Sequence, residues 1–163
     1  MLELNLGIIG LFFSVLFSAS EIALISAKKL QIDVWVKQKY KLGNLTKFII
    51  ENKSKFLTVS LIGTNLSNIL ASSFFTLYLI HIISNGTLNF PQGLVFIPIA
   101  LTILLFGEIL PKTIIREYSN IALLILSPMM YISYIGFYPF VALFNQINFN
   151  NKKHYLISSI RSA

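Results

Sequence analysis

The acidic residue Glu108 lies deep inside a long apolar run, where its charge has to be compensated. It follows 14 mostly apolar residues, and an isolated carboxylate at such a depth costs several kcal/mol by insertion scales. Three residues later Pro111 offers no N–H to the carbonyl of Gly107, four residues back. The segment therefore predicts a freed backbone oxygen beside a carboxylate, a typical cation site of membrane proteins. The alternative is a proline-kinked helix whose glutamate is protonated or paired with Lys112.

A second set of polar residues follows one face of the segment 58–73. The residues that recur at every fourth position are Ser60, Thr64, Asn68 and Ser72, and a further amide, Asn65, precedes Asn68 by one turn. A single Asn in a membrane helix often only joins it to a neighbour. Two amides beside Gly63, which permits close approach, are equally consistent with a lined binding site.

A third set lies on the first apolar run, in the sequence FSASE (17–21). Ser14, Ser18 and Ser20 are small enough to serve helix packing alone, and that is their ordinary interpretation. Glu21 follows them close to the end of the run. We predict that it reaches water or forms a structural ion pair with Lys28.

The elements that must position these residues are membrane-spanning helices. Apolar residues make up 55% of the chain, charged residues only 12%, and the mean hydropathy is +0.75. Soluble domains carry about 25% charged residues, so an ordinary cytosolic enzyme is excluded. Three apolar runs, 2–26, 56–83 and 94–115, are long enough to cross about 30 Å of hydrocarbon at about 1.5 Å per residue. An intramembrane hydrolase is also not expected, because the spans contain neither Gly-x-Ser-x-Gly nor a pair of aspartates.

The charge distribution predicts the orientation of the spans. The net charge is +7, and eight of the 13 Lys and Arg residues lie in the segment 28–55. The positive-inside bias makes this segment cytoplasmic, with the amino end outside, and anionic lipid is a better partner for it than nucleic acid. Its apolar residues recur at helical spacing around a break at Gly43, so we predict two short amphipathic helices on the inner leaflet. The alternative is a solvated basic loop.

The three polar sets are predicted to meet at one depth. Measured from the middle of each run at about 1.5 Å per residue, Ser18 lies about 6 Å, Glu108 about 5 Å and Asn68 about 2 Å towards the cytoplasm. We therefore expect one intramembrane site built from hydroxyl, amide, carbonyl and carboxylate oxygens. The chain has no cysteine, and such a site favours Mg²⁺, Ca²⁺ or Na⁺ over copper or zinc.

The segment 119–149 is apolar but contains Pro128 and Pro139. We predict that the prolines divide it into helices that wrap the cytoplasmic side of the bundle as a juxtamembrane belt. A fourth spanning helix is the alternative. We assign 1–149 to one transmembrane domain and the polar segment 150–163 to a cytoplasmic linker or tail.

The chain also carries a family resemblance. The segments SASEIALISA (18–27), SLIGTNLSNILAS (60–72) and FGEILPKTI (106–114), in this order, resemble the membrane domain of the cyclin-M/CorC family of magnesium transporters. The resemblance implies an all-α homodimer in the plasma membrane, with three spanning helices per subunit and a kinked third helix. It also implies Mg²⁺ export driven by Na⁺ entry, with dehydrated Mg²⁺ bound near mid-membrane by Ser, Asn and Glu side chains.

The resemblance also assigns residues to the site. The family's motif serine falls on Ser18, its motif asparagine on Asn68, and its Gly-Glu pair on Gly107 and Glu108, while Asn65 is a further candidate ligand. Members usually continue into cytosolic cystathionine-β-synthase-type (CBS) domains, so we expect either an excised membrane domain or a short form. The alternative function is that of a membrane anchor and dimerisation module for such domains, without transport activity.

Overall fold

All regular structure in the described part of the chain is helical. The computed structural model describes residues 1–86 and 91–142. Its helices are α1 (Leu2–Ser26), α2 (Lys29–Lys37), α3 (Gly43–Glu51), α4 (Lys53–Ser84), α5 (Phe96–Thr102), a π-helical segment (Ile103–Ile109), α6 (Leu110–Glu117) and α7 (Ser119–Gly136), with a 3₁₀ turn at Gln92–Leu94. The predicted all-α fold is confirmed.

Helices α1 and α4 form an antiparallel pair at the centre of the molecule. Gly10 lies so close to α4 that a Cβ atom there would be 2.8 Å from the backbone nitrogen of Ala71. Towards the other end of the pair, a Cβ atom at Gly63 would be 2.5 Å from the ring of Phe17. Because no side chain fits at these glycines, the two backbones approach closely enough for short hydroxyl and amide side chains to meet across the interface.

Four helices in the described residues are long and apolar enough to cross a membrane. They are Leu2–Ser26, Lys53–Ser84, the continuous unit Phe96–Glu117 formed by α5, the π segment and α6, and Ser119–Gly136. The first three correspond to the three predicted spans. The fourth is α7, which with 18 residues is the shortest of them. By length and composition, α7 therefore agrees with the alternative prediction of a fourth spanning helix.

The prediction that Pro128 divides the 119–149 segment is wrong, because α7 continues through that proline. Proline lacks the N–H that would donate to the carbonyl four residues back, which belongs to Leu124. The hydroxyl of Ser127 donates to this carbonyl at 2.8 Å. A neighbouring side chain thus replaces the lost backbone bond, and the helix is not interrupted.

The chain leaves helical geometry later, in a turn at residue 137, and resumes it over 138–142. Pro139 lies in the first turn of this short helix, where a backbone N–H has no helical acceptor to reach. The rest of the predicted belt, 143–149, and the predicted linker or tail, 150–163, lie outside the described residues.

The two short helices predicted from the basic segment are confirmed as α2 and α3. They pack with α7 and the ends of α1 and α4 around an apolar cluster that we call the base, which consists of Ala23, Leu24, Ile32, Ile49, Phe56, Ala122, Leu123 and Met130. Ile32 and Ile49 are fully buried in the base, whereas Leu30 is 81% exposed. The amphipathic faces of α2 and α3 are therefore covered at least in part by protein.

An ion pair joins α2 to α3 on the outside of the base. Lys47 Nζ lies 3.1 Å from Asp33 Oδ1. The hydrogen bond that Lys47 donates to this carboxylate raises the pKa of Lys47 above its ordinary value, and the negative charge of Asp33 adds to the effect. Both side chains are about one third exposed, so water screens the interaction.

Candidate cation site

Side chains from three helices meet at the middle of the α1–α4 interface. The hydroxyl of Ser14, on α1, donates to the amide oxygen of Asn68, on α4. The amide nitrogen of Asn68 donates in turn to Glu108 Oε1, on the π segment, at 2.6 Å. We call Ser14, Asn68, Gly107 and Glu108 the polar cluster. Its contacts connect residues that lie 54 and 40 positions apart in the chain.

The absence of a side chain at Gly107 brings the π segment against α1. A Cβ atom at this position would be 2.9 Å from the hydroxyl oxygen of Ser14, closer than real Cβ contacts allow. The carbonyl oxygen of Gly107 lies 3.4 Å from the same hydroxyl. Ser14 itself is fully buried. A hydroxyl, an amide, a carboxylate and a backbone carbonyl thus lie together in an otherwise apolar region.

The π segment changes the backbone hydrogen bonding next to Glu108. The N–H of Leu110 donates to the carbonyl of Leu105, five residues back, and not to Phe106, four residues back. Pro111 has no N–H for the carbonyl of Gly107. The sequence predicted one carbonyl without its α-helical donor, and the structure has two, on consecutive residues. Single π turns of this kind are common at functional sites.

Three of the five candidate ligands, Asn68, Gly107 and Glu108, are brought together. Ser18 is fully buried one turn from Ser14, and its hydroxyl oxygen has no hydrogen-bond partner among the described residues. Asn65 lies on the exposed side of α4, where its amide nitrogen donates to the carbonyl of Leu61 at 2.9 Å. Roles for Ser18 and Asn65 stay predictions.

The residue that the candidate set omitted is Ser14. A signal for it was present in the sequence, because it precedes Ser18 by one helical turn and so shares its face of α1. Ser18 is the candidate because the motif serine of the resembling family falls on it, and a depth is estimated for Ser18 alone. In the structure the serine that contacts Asn68 is the one nearer to the middle of the first run.

The prediction that Glu21 pairs with Lys28 is wrong. Glu21 Oε2 lies 3.2 Å from the ammonium of Lys112, which is four residues after Glu108. Lys28 lies beyond the end of α1, where its backbone N–H donates to Asn120 Oδ1 at 2.7 Å. The alternative in which Lys112 pairs with Glu108 also differs from the structure, since Lys112 reaches across to α1.

The donor set of the polar cluster restricts the ligands that it can hold. Its members offer oxygen atoms and only one carboxylate, and no group of three or more His, Cys, Asp or Glu occurs among the residues that the structure describes. Oxygen ligands suit hard cations such as Mg²⁺, Ca²⁺ and Na⁺. A single carboxylate leaves a divalent cation partly uncompensated, which is compatible with release after binding.

Comparison with known families gives one match that covers most of the chain. The family described as the cyclin M transmembrane N-terminal domain matches residues 6–149. This range contains the polar cluster and all of the helices from α2 to α7. A search of curated proteins finds no match to this chain.

Proposed function

The chain belongs to the cyclin M transmembrane N-terminal domain family, and on this basis we propose that it transports Mg²⁺ across a membrane through the polar cluster. The observation that carries the proposal is the contact of Asn68 with Glu108 between two apolar helices. A carboxylate and an amide in this position are expensive unless they serve a polar ligand. The match agrees with the resemblance that the three sequence motifs predicted.

The cluster could exchange its internal hydrogen bonds for bonds to a cation. Glu108 accepts its hydrogen bond from the amide nitrogen of Asn68, while the amide oxygen accepts from Ser14. Rotation of this amide would turn its oxygen towards an ion beside Glu108. The hydroxyl of Ser18 and the carbonyl of Gly107 are further oxygens within a turn of the same place. All are ligands that Mg²⁺ accepts.

We further propose that transport is Mg²⁺ export coupled to Na⁺ entry at the plasma membrane. The coupling and its direction come from the family resemblance. The cluster supports it in one respect: a single carboxylate, Glu108, cannot neutralise Mg²⁺ and Na⁺ together, so the two ions would bind in turn. In this arrangement the segment 28–55, which contains α2 and α3 and eight of the 13 Lys and Arg residues, faces the cytoplasm and its anionic lipid.

A second copy of the chain is the partner that we propose for α4. Only 11% of the apolar window of α4 is buried, against 44% for α1. Asn65 lies on the exposed part of α4, and its amide nitrogen donates to its own helix at the carbonyl of Leu61. An amide facing lipid is unfavourable, and a homodimer that covers this face would remove it from lipid. Cytosolic CBS-type domains of a longer protein are further partners that the family implies.

The alternative is a membrane anchor and dimerisation module without transport activity. One observation favours it: some of the small polar residues of α1 and α4 already have hydrogen-bond partners within these two helices. The hydroxyls of Ser20 and Ser60 lie 3.1 Å apart between α1 and α4, and Thr64 donates back to its own helix at the carbonyl of Ser60. These contacts satisfy the hydroxyls without any ligand.

Efflux of Mg²⁺ from loaded liposomes separates the two functions. Glu108→Gln removes the charge but keeps the shape, so we expect a loss of at least about tenfold in efflux, corresponding to about 1.4 kcal/mol at the rate-limiting step. Glu117→Gln, which neutralises an exposed carboxylate on α6, is the matched control and should transport normally. An inward Na⁺ gradient should accelerate efflux in the parent protein.

Normal efflux by a folded Glu108→Gln protein would contradict the transport proposal and favour the anchor. Efflux that depends on Glu108 but ignores the Na⁺ gradient would preserve Mg²⁺ transport and overturn the coupling.

A further inference from the structure

An ion pair joins α1 to α6 close to the polar cluster but outside it. Glu21 Oε2 and Lys112 Nζ lie 3.2 Å apart, and their side chains are 16% and 32% exposed. Glu21 is seven residues after Ser14 and three after Ser18, while Lys112 is four residues after Glu108. Spacings of three, four and seven keep residues on one helix face.

The pair therefore lies one to two helical turns from the cluster, on the side where α2 and α3 pack. Both of its residues continue the faces that carry Ser14, Ser18 and Glu108. A cation moving between the cluster and the α2–α3 end would have to pass the level at which Glu21 and Lys112 join α1 to α6. As long as the pair is formed, the ammonium of Lys112 opposes that passage by charge and by occupancy.

A cation is the one kind of solute that can open this contact at low cost. Separating a partly buried ion pair leaves two uncompensated charges, which is strongly unfavourable. A metal ion arriving at Glu21 would replace the ammonium and keep this carboxylate neutralised. The released Lys112 has a flexible four-carbon stem and lies one turn from Glu108, within reach of that carboxylate. Both carboxylates would then keep a positive partner throughout the exchange.

We propose that Glu21 and Lys112 form the gate on the α2–α3 side of the polar cluster, which opens when the transported cation takes the place of Lys112 at Glu21. The inference rests on the transport function proposed above. Neither residue is needed as a ligand within the cluster, so the pair controls access to the site and not its affinity.

A second ion pair in the molecule provides a matched control. Lys47 and Asp33 lie 3.1 Å apart, and their side chains are 38% and 33% exposed. This pair joins α2 to α3, whereas the pair of Glu21 and Lys112 joins α1 to α6. Its loss removes one lysine and one salt bridge, as the loss of Lys112 does, but should leave access to the cluster unchanged.

The gate can be tested by chemical access to a single thiol. The chain has no cysteine, so Ser18→Cys introduces the only thiol, at a fully buried position on the cluster side of the pair. Its rate of reaction with a membrane-impermeant thiosulfonate is measured in vesicles with the reagent added from the α2–α3 side. We expect Lys112→Gln and Glu21→Gln each to raise this rate by about tenfold, equivalent to about 1.4 kcal/mol in the open population.

Further variants distinguish a gate from a general loosening of the fold. Because both substitutions break the same contact, the double variant should react no faster than either single variant. Lys112→Arg keeps the charge and should retain slow labelling, and Lys47→Gln should not alter the rate. If Lys112→Gln does not fold, Lys112→Met replaces it, because it keeps the apolar stem without the charge.

Unchanged labelling in a folded Lys112→Gln or Lys112→Met protein would overturn the gate, and so would an equal increase in Lys47→Gln. Such a failure is distinct from a failure of the transport proposal. Without a gate, efflux would still depend on Glu108. If efflux ignored Glu108 while labelling responded to Lys112, the ion pair would close a pathway that does not use the polar cluster.

Discussion

The polar cluster and the base share α1 and α4 but are built from different kinds of contact. In the base, Leu24, Ile49 and Phe56 are fully buried and make apolar contacts. In the cluster, the contacts between helices are hydrogen bonds that involve Asn68 and Glu108, and the backbone alongside departs from α-helical geometry. The base therefore holds the helices together, whereas the cluster contains polar groups that helix packing alone does not require.

This difference predicts opposite responses to substitution. Burying a large apolar side chain contributes about 1.5–3 kcal/mol, so truncations in the base should lower stability. Neutralising a carboxylate in an apolar region relieves a desolvation cost, so changes in the cluster should affect transport more than stability.

The largest effect is expected in the base. Phe56→Ala removes a fully buried ring that packs 5.0 Å from Tyr134, measured between ring centroids, and should lower the free energy of unfolding by about 3–5 kcal/mol. Thermal unfolding in detergent measures the loss. Phe12→Ala, at a ring that is 59% exposed, is the control and should cost much less. Equal losses in the two variants would contradict the distinction between base and surface.

The next effect tests the close approach of α1 to α4. Gly63→Ala places a Cβ atom 2.5 Å from the ring of Phe17, so we expect a loss of about 1–3 kcal/mol from overpacking. The same substitution at Gly136, where no atom of the described residues lies within 4 Å of the added Cβ, is the control. Adding Phe17→Leu should recover part of the loss. If Gly63→Ala unfolds at the temperature of the parent, the interface is looser than the structure indicates.

A third effect tests the replacement of a backbone bond in α7. Ser127→Ala leaves the carbonyl of Leu124 without a donor and should cost about 1–2 kcal/mol. In a Pro128→Ala background the backbone N–H returns, and the same substitution should then cost almost nothing. Thermal unfolding of the four proteins of this cycle measures the coupling. Equal costs in both backgrounds would show that the hydroxyl does not replace the missing bond.

A fourth prediction concerns the cluster itself. Glu108→Gln should change the free energy of unfolding by less than about 1 kcal/mol, or raise it, because it removes a charge from an apolar region while Asn68 can still donate to the new carbonyl. The unfolding temperature is compared with that of Phe56→Ala in the same detergent. A loss of unfolding free energy as large as that of Phe56→Ala would show that Glu108 is required for stability.

The smallest effect is expected at the exposed pair of α2 and α3. Asp33→Asn removes the hydrogen bond and charge that raise the pKa of Lys47, so this pKa should fall back towards its ordinary value. A lysine with a raised pKa adds stability below its ordinary pKa and loses it as the pH rises through the raised value. The variant should therefore unfold at a slightly lower temperature than the parent at pH 7, and this small difference should disappear at strongly alkaline pH. A pH series of unfolding temperatures measures this.

Several parts of the fold follow from local sequence. The three predicted spans, the two short helices of the basic segment and the contact between Asn68 and Glu108 depend on apolar periodicity and the cost of polar groups in hydrocarbon. These are properties of one segment or of its depth in the membrane. A sequence reports them directly. The predicted break between the short helices is misplaced, because it lies at 38–42 and Gly43 is the first residue of α3.

Other parts depend on which atoms meet across the fold. Asn68 contacts Ser14 and not Ser18, which lies one turn further along α1. This separation of about 6 Å is within the error of depths measured from the middle of a run. The partner of Glu21 depends on how α6 lies against α1, which separations along the chain do not reveal. The helix survives Pro128 because Ser127 adopts a rotamer that reaches Leu124.

Transport through the polar cluster requires that a hard cation binds between α1, α4 and the π segment. Anomalous diffraction from crystals soaked in Mn²⁺, as a substitute for Mg²⁺, tests this binding. We predict density in contact with the carboxylate of Glu108 and the amide oxygen of Asn68, and its loss in Glu108→Gln crystals. The crystals must contain a transport-active protein and saturating Mn²⁺. If they show no density there and Asn68 still donates to Glu108, the proposed cation site is contradicted.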